Sequence, residues 1–78
     1  KPSTKARLLS GENIFSESVF LGKNTTIENA VLENVIVEPG VTIRNASIRN
    51  SVIGRNAIVT GVDLSGVALR KESFVGRE

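Results

Sequence analysis

The chain repeats every 16 residues, and this period limits its possible folds more than any other feature of the sequence. Large aliphatic residues recur at steps of 6, 5 and 5. They are Leu21, Ile27, Leu32, Val37, Ile43, Ile48, Ile53, Val59, Leu64, Leu69 and Val75. An α-helix repeats on 3.6 residues and a β-strand on 2, so neither element alone produces these steps.

A second row of residues follows the same period, two positions before each aliphatic marker. All of its members are small or β-branched: Val19, Thr25, Ala30, Val35, Val41, Ala46, Ser51, Ala57, Val62, Val67 and Ser73. Side chains two residues apart in a strand point to the same side, so each marker and its companion share one face of a short strand. Three short strands in each repeat predict a triangular coil, and successive coils stack as parallel strands about 4.8 Å apart.

The predicted corners carry residues that accept a left-handed backbone. Asn and Gly tolerate positive φ better than other residues do. The corner columns are Asn24–Gly40–Asn56, Asn29–Asn45–Gly61 and Asn34–Asn50–Gly66. Stacked Asn side chains in these columns can form hydrogen bonds from amide to amide along the stack.

Charged surface residues also pair at the distance of one repeat. Glu28 is predicted to lie one coil from Arg44, and Glu33 one coil from Arg49. Exposed pairs of this kind contribute roughly 0.2–1 kcal/mol each. They are therefore expected to help fix the register of the coils, while the inward aliphatic columns supply most of the stability.

The repeat predicts two segments in the 78-residue chain. Residues 1–7 are interpreted as a linker from a missing N-terminal domain, and residues 8–78 as a β-helix domain. The domain is subdivided into an imperfect capping coil at 8–20, regular coils at 21–68 and a partial coil at 69–78. The capping coil is imperfect because Arg7 and Asn13 occupy positions of the small-residue row.

The partial coil at the C-terminal end would leave a parallel edge unpaired. Such edges attract further strands, so we expect a neighbour or a missing segment to cover this one. Phe74, Leu69 and Val75 are therefore candidate subunit contacts. Phe74 can equally be a core plug at the end of the coil stack.

Composition excludes several classes of function. The chain has no Cys and no His, its net charge is only +2, and its three aromatic residues are all Phe. Neither a basic patch with stacking aromatics nor a membrane-spanning apolar run is present in the sequence, so we expect no nucleic-acid or membrane partner. With no signal peptide pattern, a cytoplasmic location is predicted. No catalytic, cofactor-binding or metal-ligating residue is predicted in this chain.

The runs LGKNTT, VEPGVT and IGRNAI resemble the hexapeptide repeat of left-handed parallel β-helices. This resemblance implies an all-β fold, a single-stranded left-handed parallel β-helix of about four triangular coils, which is an exception to the usual right-handed crossover. The Asn-bounded five-residue steps in IENAVLENVIV and IRNASIRNSVIGRN resemble the C-terminal domains of sugar-phosphate nucleotidyltransferases. Within that group the chain is most similar to the long form of glucose-1-phosphate thymidylyltransferases.

The resemblance implies a domain without chemistry of its own. In such enzymes an N-terminal domain carries a Gly-rich nucleotide loop and acidic ligands for Mg²⁺, and the β-helix mediates subunit contacts. None of the N-terminal motifs occurs in these 78 residues, so no catalytic residue carries over. The expected partners are other copies of the chain, in a homo-oligomer, and its own catalytic domain.

Two alternatives share the predicted fold. A self-assembling structural β-helix protein fits the open partial coil at the C-terminal end. A hexapeptide acyltransferase fragment fits less well, because those enzymes resemble one another in using a His general base and this chain has no His.

Overall fold

A computed structural model describes residues 7–76 of the chain, and all regular structure within them is β-strand. The strands are β1 (Arg7–Ser10), β2 (Ile14–Phe15), β3 (Val19–Leu21), β4 (Thr25–Glu28), β5 (Val31–Val37), β6 (Thr42–Arg44), β7 (Ser47–Ile53), β8 (Ile58–Thr60), β9 (Asp63–Ser65), β10 (Ala68–Leu69) and β11 (Phe74–Gly76). Residues 1–6 of the predicted linker and residues 77–78 of the predicted partial coil lie outside the described residues.

The strands stack in parallel and form three flat faces. Face 1 contains β1, β4, β6, β8 and β11 in that order. Face 2 contains β2, the first halves of β5 and β7, and β9. Face 3 contains β3, the second halves of β5 and β7, and β10. The predicted parallel β-helix of about four coils with a 16-residue repeat is thus confirmed.

In the two middle coils, one continuous strand crosses from face 2 to face 3, where three separate strands per coil were predicted. In the two middle coils, β5 and β7 run for seven residues through the corners at Asn34 and Asn50. Each corner is turned by one residue with positive φ, 57° at Asn34 and 50° at Asn50. Because a single left-handed residue bends the chain, the ladder of hydrogen bonds resumes at once on the other side.

The two inward rows predicted from the repeat form the core. Buried residues of these rows are Thr25, Ile27, Ala30, Leu32, Val35, Val37, Val41, Ile43, Ala46, Ile48, Ser51, Ile53, Ala57 and Val59. Like residues stack coil upon coil, as where Ile43 pairs with Ile27 below and Val59 above. Row members at both ends of the described coils, such as Leu21 and Leu64, are only partly buried, because fewer coils cover them.

Ser51 shows how a polar residue is accommodated in the buried row. Its hydroxyl donates a hydrogen bond to the Arg49 carbonyl at 2.7 Å and accepts one from the Val67 N–H at 3.1 Å. Both hydrogen-bonding functions of the side chain are satisfied, so its burial carries little penalty.

The predicted corner residues all adopt positive φ. They are Asn24, Asn29, Asn34, Gly40, Asn45, Asn50, Asn56, Gly61 and Gly66. The predicted amide-to-amide bond is present between Asn34 Nδ2 and Asn50 Oδ1, at 2.8 Å. Asn29 instead accepts a hydrogen bond from the Glu12 N–H at 2.9 Å, which ties the first coil to the second.

The first coil contains more residues than the others. Its first two strands are therefore separated from their partners by more than one regular repeat. Arg7 pairs with Thr25 and Phe15 with Leu32, before Val19 pairs with Val35 at the regular distance. β1 begins at Arg7, one residue earlier than the predicted capping coil at 8–20.

Asn13 compensates for its irregular position in the small-residue row of the first coil. Its Oδ1 accepts a hydrogen bond from the Ala30 N–H at 2.9 Å, and its Nδ2 donates to the Ser10 carbonyl at 3.1 Å. The side chain thus bonds the first coil to the second and satisfies the Ala30 N–H.

Glu72 stands at a corner where the preceding coils have Asn24, Gly40 and Asn56, and its φ is 61°. A left-handed backbone costs a non-Gly residue about 1–2 kcal/mol, and less for Asn. We expect Glu72→Asn to raise the free energy of unfolding by about 1 kcal/mol, measured by urea denaturation. The hydrogen bond from the Glu72 N–H to the Arg55 carbonyl, 2.7 Å long, is kept by the substitution.

The matched control for this prediction is Lys71→Asn, at the neighbouring exposed position, whose φ is not positive. It makes the same kind of surface change without relieving a left-handed backbone, so the urea midpoint should stay unchanged. A Glu72→Asn variant no more stable than Lys71→Asn would contradict the explanation.

Candidate interaction surface

The candidate contacts predicted from the sequence do not form one surface. Phe74 is exposed on face 1, where its strand neighbour Ile58 is also exposed. Leu69 packs against the core, and Val75 alternates with the outward Phe74 and lies over the buried Val59. The structure therefore places Phe74 beside Ile58 and turns Leu69 and Val75 inward. A role for these three residues in subunit contact stays a prediction.

Face 3 carries an exposed apolar column that the sequence reasoning missed. Its members are the central outward residues of β3, β5, β7 and β10: Phe20, Ile36, Val52 and Ala68. Phe20 is 62% exposed, Ile36 48% and Val52 37%. Exposed apolar columns on a flat sheet are typical of surfaces that meet another protein.

The sequence does contain a signal for this column. A strand with one face in water alternates apolar and polar residues. The four strands of face 3 depart from that rule, since they contain the consecutive apolar runs VFL, VIV, VI and AL. In the three-residue runs the middle residue points outward, and in the two-residue runs the first one does, because the residues on either side of it point into the core.

The outward columns of the other two faces are mixed in character. On face 1 they are Thr26, Thr42, Ile58 and Phe74, and on face 2 they are Ile14, Val31, Ser47 and Asp63. Each column therefore has two apolar and two polar members, and the column of face 2 ends on the charged Asp63. Within residues 7–76, face 3 is the face whose central column is apolar in every coil.

Charge is separated along the solenoid axis. If each coil begins at its left-handed corner, the acidic coil spans residues 24–39 and contains three Glu and no Lys or Arg. The next one, the basic coil at residues 40–55, contains three Arg and no Asp or Glu. Because these six residues are distributed over the sides of the solenoid, an acidic ring lies about 4.8 Å from a basic ring.

The two rings are joined by direct contacts. Arg44 Nε lies 3.3 Å from Glu28 Oε1, and Arg49 Nε lies 3.4 Å from Glu33 Oε1, which confirms both predicted pairs. The third Glu of the acidic coil, Glu38, uses Oε1 to accept a hydrogen bond from the Arg55 N–H at 3.1 Å. Since these side chains are largely exposed, each contact stabilises the fold only slightly. Together they give the middle of the solenoid an electric dipole along its axis.

A shallow groove borders the apolar column of face 3. It is lined by Asn34, Ile36, Asn50, Ser51 and Val52 and has a volume of about 240 Å³. A second groove, of about 250 Å³, lies on face 2 and is lined by Ser47, Arg49, Asp63, Leu64 and Ser65. The groove on face 3 extends the apolar column to the polar corner at Asn34 and Asn50.

Residues 7–76 show neither a metal-ligand cluster nor a membrane-spanning helix. Nowhere in this part of the chain do three or more Asp, Glu, His or Cys side chains gather as ligands for a metal ion. The same residues contain no helix that is both long and apolar enough to cross a membrane.

Comparison with known proteins does not assign the chain to a family. No family model matches the chain. No curated protein matches it significantly either.

Proposed function

We propose that the chain is the left-handed β-helix domain of a sugar-1-phosphate nucleotidyltransferase, in which it joins subunits and supports the catalytic domain. The Asn-cornered 16-residue coils support this proposal, because they form the stack of parallel strands that the resemblance implies. The joining role depends on one observation, the exposed apolar column of face 3. A solitary solenoid would leave that column in water, whereas a neighbouring subunit would bury it.

In the proposed protein the parent reaction belongs to the catalytic domain. In that reaction a sugar-1-phosphate attacks the α-phosphate of a nucleoside triphosphate, pyrophosphate leaves, and Mg²⁺ assists. None of the N-terminal motifs that carry this chemistry in such enzymes occurs in these 78 residues, so we assign this chain no step of the reaction.

Reading the gene upstream of Lys1 tests whether the chain belongs to a sugar-1-phosphate nucleotidyltransferase. We expect it to encode a nucleotide-binding domain of roughly 250 residues, near the upper end of ordinary domain sizes. The product of the whole frame should then release pyrophosphate from a nucleoside triphosphate when a sugar-1-phosphate and Mg²⁺ are present. A frame that begins near Lys1, or one that encodes an unrelated domain, overturns the assignment. The first of these results would favour a self-assembling structural β-helix protein.

A further inference from the structure

Two independent patterns on the solenoid share the same midpoint. On face 3 the apolar side chains become smaller from coil to coil, from Phe20 through Ile36 and Val52 to Ala68. The midpoint of this series lies between Ile36 and Val52. The boundary between the acidic and basic coils also lies there, because Ile36 belongs to residues 24–39 and Val52 to residues 40–55.

We propose that two copies of this chain pack through face 3 with their solenoid axes antiparallel, around a two-fold axis that passes between Ile36 and Val52. The proposal deepens the joining role and rests on it. A two-fold interface brings the same patch of both subunits together, so the patch must be complementary to itself after rotation. The side-chain sizes on face 3 and the charges of the two middle coils both satisfy that condition.

The side-chain sizes on face 3 complement one another in the antiparallel arrangement. Phe20, the largest, lies opposite Ala68 of the partner subunit, the smallest, and Ile36 lies opposite Val52 of the partner subunit. Large against small at every level lets two flat sheets approach to the usual separation of about 10 Å. A parallel arrangement with coils in register would place Phe20 against Phe20 at one end and Ala68 against Ala68 at the other, and the sheets would diverge.

The charges favour the same orientation. Antiparallel packing places the acidic coil of one copy beside the basic coil of the other, twice, so the two axial dipoles attract. Parallel packing in register places acidic beside acidic and basic beside basic. Glu38 and Arg55, which follow the face 3 strands, lie nearest to the partner, and the other four charges stand on faces 1 and 2. At distances of about 10 Å or more, beyond the Debye length of about 8 Å at physiological salt, the charges make a small contribution, and side-chain size is the larger one. Electrostatic complementarity of this kind selects one arrangement over another.

The other faces lack this complementarity. The same rotation about face 1 would place Thr26 against Phe74, and about face 2 it would place Ile14 against the charged Asp63. Each of those contacts would bury a polar group against an apolar one without a hydrogen-bond partner. Face 3 is therefore the surface to which the proposal assigns the partner.

Single-cysteine variants of the full chain test the orientation, and the chain has no Cys of its own to interfere. Phe20 and Ala68 lie three coils apart, about 14 Å along the axis. Opposed Cα atoms of two packed sheets lie about 10 Å apart, too far for a disulfide, so a bis-maleimide with a spacer of about 10 Å is used to join the cysteines. In an equal mixture of Phe20→Cys and Ala68→Cys chains, we expect the mixed cross-link to exceed each cross-link between like chains by about tenfold. Mass spectrometry distinguishes the three products.

The matched control pair is Thr26→Cys with Phe74→Cys, which has the same three-coil spacing on face 1. It should give little cross-linking of any kind. A dominant cross-link between two Phe20→Cys chains would overturn the antiparallel arrangement and leave the joining role intact. Chains that stay monomeric in sedimentation at millimolar concentration, with no cross-linking on any face, would overturn both the arrangement and the joining role, whatever domain is encoded upstream.

A second variant pair tests the surface without cysteine. Ile36→Lys places a charge in the centre of face 3, and Ile58→Lys places one on face 1 at a similarly exposed position. We expect Ile36→Lys to weaken association at least about tenfold and to leave circular dichroism unchanged, while Ile58→Lys associates like the unmodified chain. Equal association of the two variants would overturn the assignment to face 3.

Discussion

Replacing Ile48 by alanine should lower the free energy of unfolding by about 3–4 kcal/mol, a large fraction of the roughly 5–15 kcal/mol that a folded domain possesses. Ile48 is completely buried in β7 and stacks between Leu32 in the coil below and Leu64 in the coil above. Both neighbours are anchored by their own ladders of hydrogen bonds, so they cannot collapse into the space that the lost side chain leaves. The cost therefore includes the cavity as well as the lost apolar contact.

Urea denaturation followed by circular dichroism measures this effect, and Ile58→Ala is its control. Ile58 is the same residue type in a neighbouring strand, but it points outward and is 39% exposed. Its loss should cost less than about 1 kcal/mol, because little buried surface disappears. A loss below 1 kcal/mol for Ile48→Ala would mean that the inward column does not carry the stability of the fold.

Gly54→Ala should be nearly as damaging, although it adds only one methyl group. An added Cβ at Gly54 would lie 2.5 Å from both the Arg70 carbonyl carbon and the Lys71 nitrogen, and 2.6 Å from the Leu69 carbonyl oxygen. All three atoms belong to the backbone of the next coil, so relief requires the coils to separate. The Gly54 N–H donates to the Leu69 carbonyl at 3.0 Å, and this ladder bond would be strained first. We expect a loss of about 3 kcal/mol in the free energy of unfolding.

A glycine can be required by crowding around its Cα or by a positive φ, and Gly66→Ala distinguishes these two reasons. Gly66 has a φ of 68°, but no atom lies within 4 Å of an added Cβ. Its substitution should cost only the price of a left-handed backbone, about 1 kcal/mol. Gly54 has the opposite character, since its φ is not positive and its surroundings are crowded. Equal losses in thermal or urea unfolding would show that crowding between coils is not what selects glycine at position 54.

Much of the fold could be predicted from the sequence because each structural position of a coil is occupied by similar residues in several successive repeats. The inward rows, the left-handed corners and the pairs Glu28–Arg44 and Glu33–Arg49 all follow from residues spaced one coil apart. The first coil is irregular, and its details were less accessible. Nothing in the sequence pattern indicates that the Asn13 side chain accepts a hydrogen bond from the Ala30 N–H, since this depends on the geometry of one side chain.

The candidate surface was harder to predict than the core. Phe74, Leu69 and Val75 are predicted as contacts because they lie near an open end of the coil stack. Position at an end does not indicate which aliphatic residues point outward within the regular coils. Ile36 and Val52 are flanked on both sides by inward residues, and a chain of consecutive apolar residues does not by itself reveal which of them is exposed. The two predicted inward rows settle the choice, because they place Val35, Val37, Ser51 and Ile53 in the core and leave Ile36 and Val52 on the surface.

In the regular coils, paired residues of neighbouring strands are always separated by one repeat in the sequence, and this affects how the chain folds. Thr26 pairs with Thr42 and Thr42 with Ile58, and face 3 keeps the same interval from Ile36 to Val52 to Ala68. Each added coil therefore closes a loop of the same length and meets the same entropic cost. The first pair of coils must meet that cost before any stacking surface exists, whereas later coils add to a finished template. Folding should consequently begin at any strong pair of neighbouring coils and spread outward in both directions, with the end coils forming last and opening first.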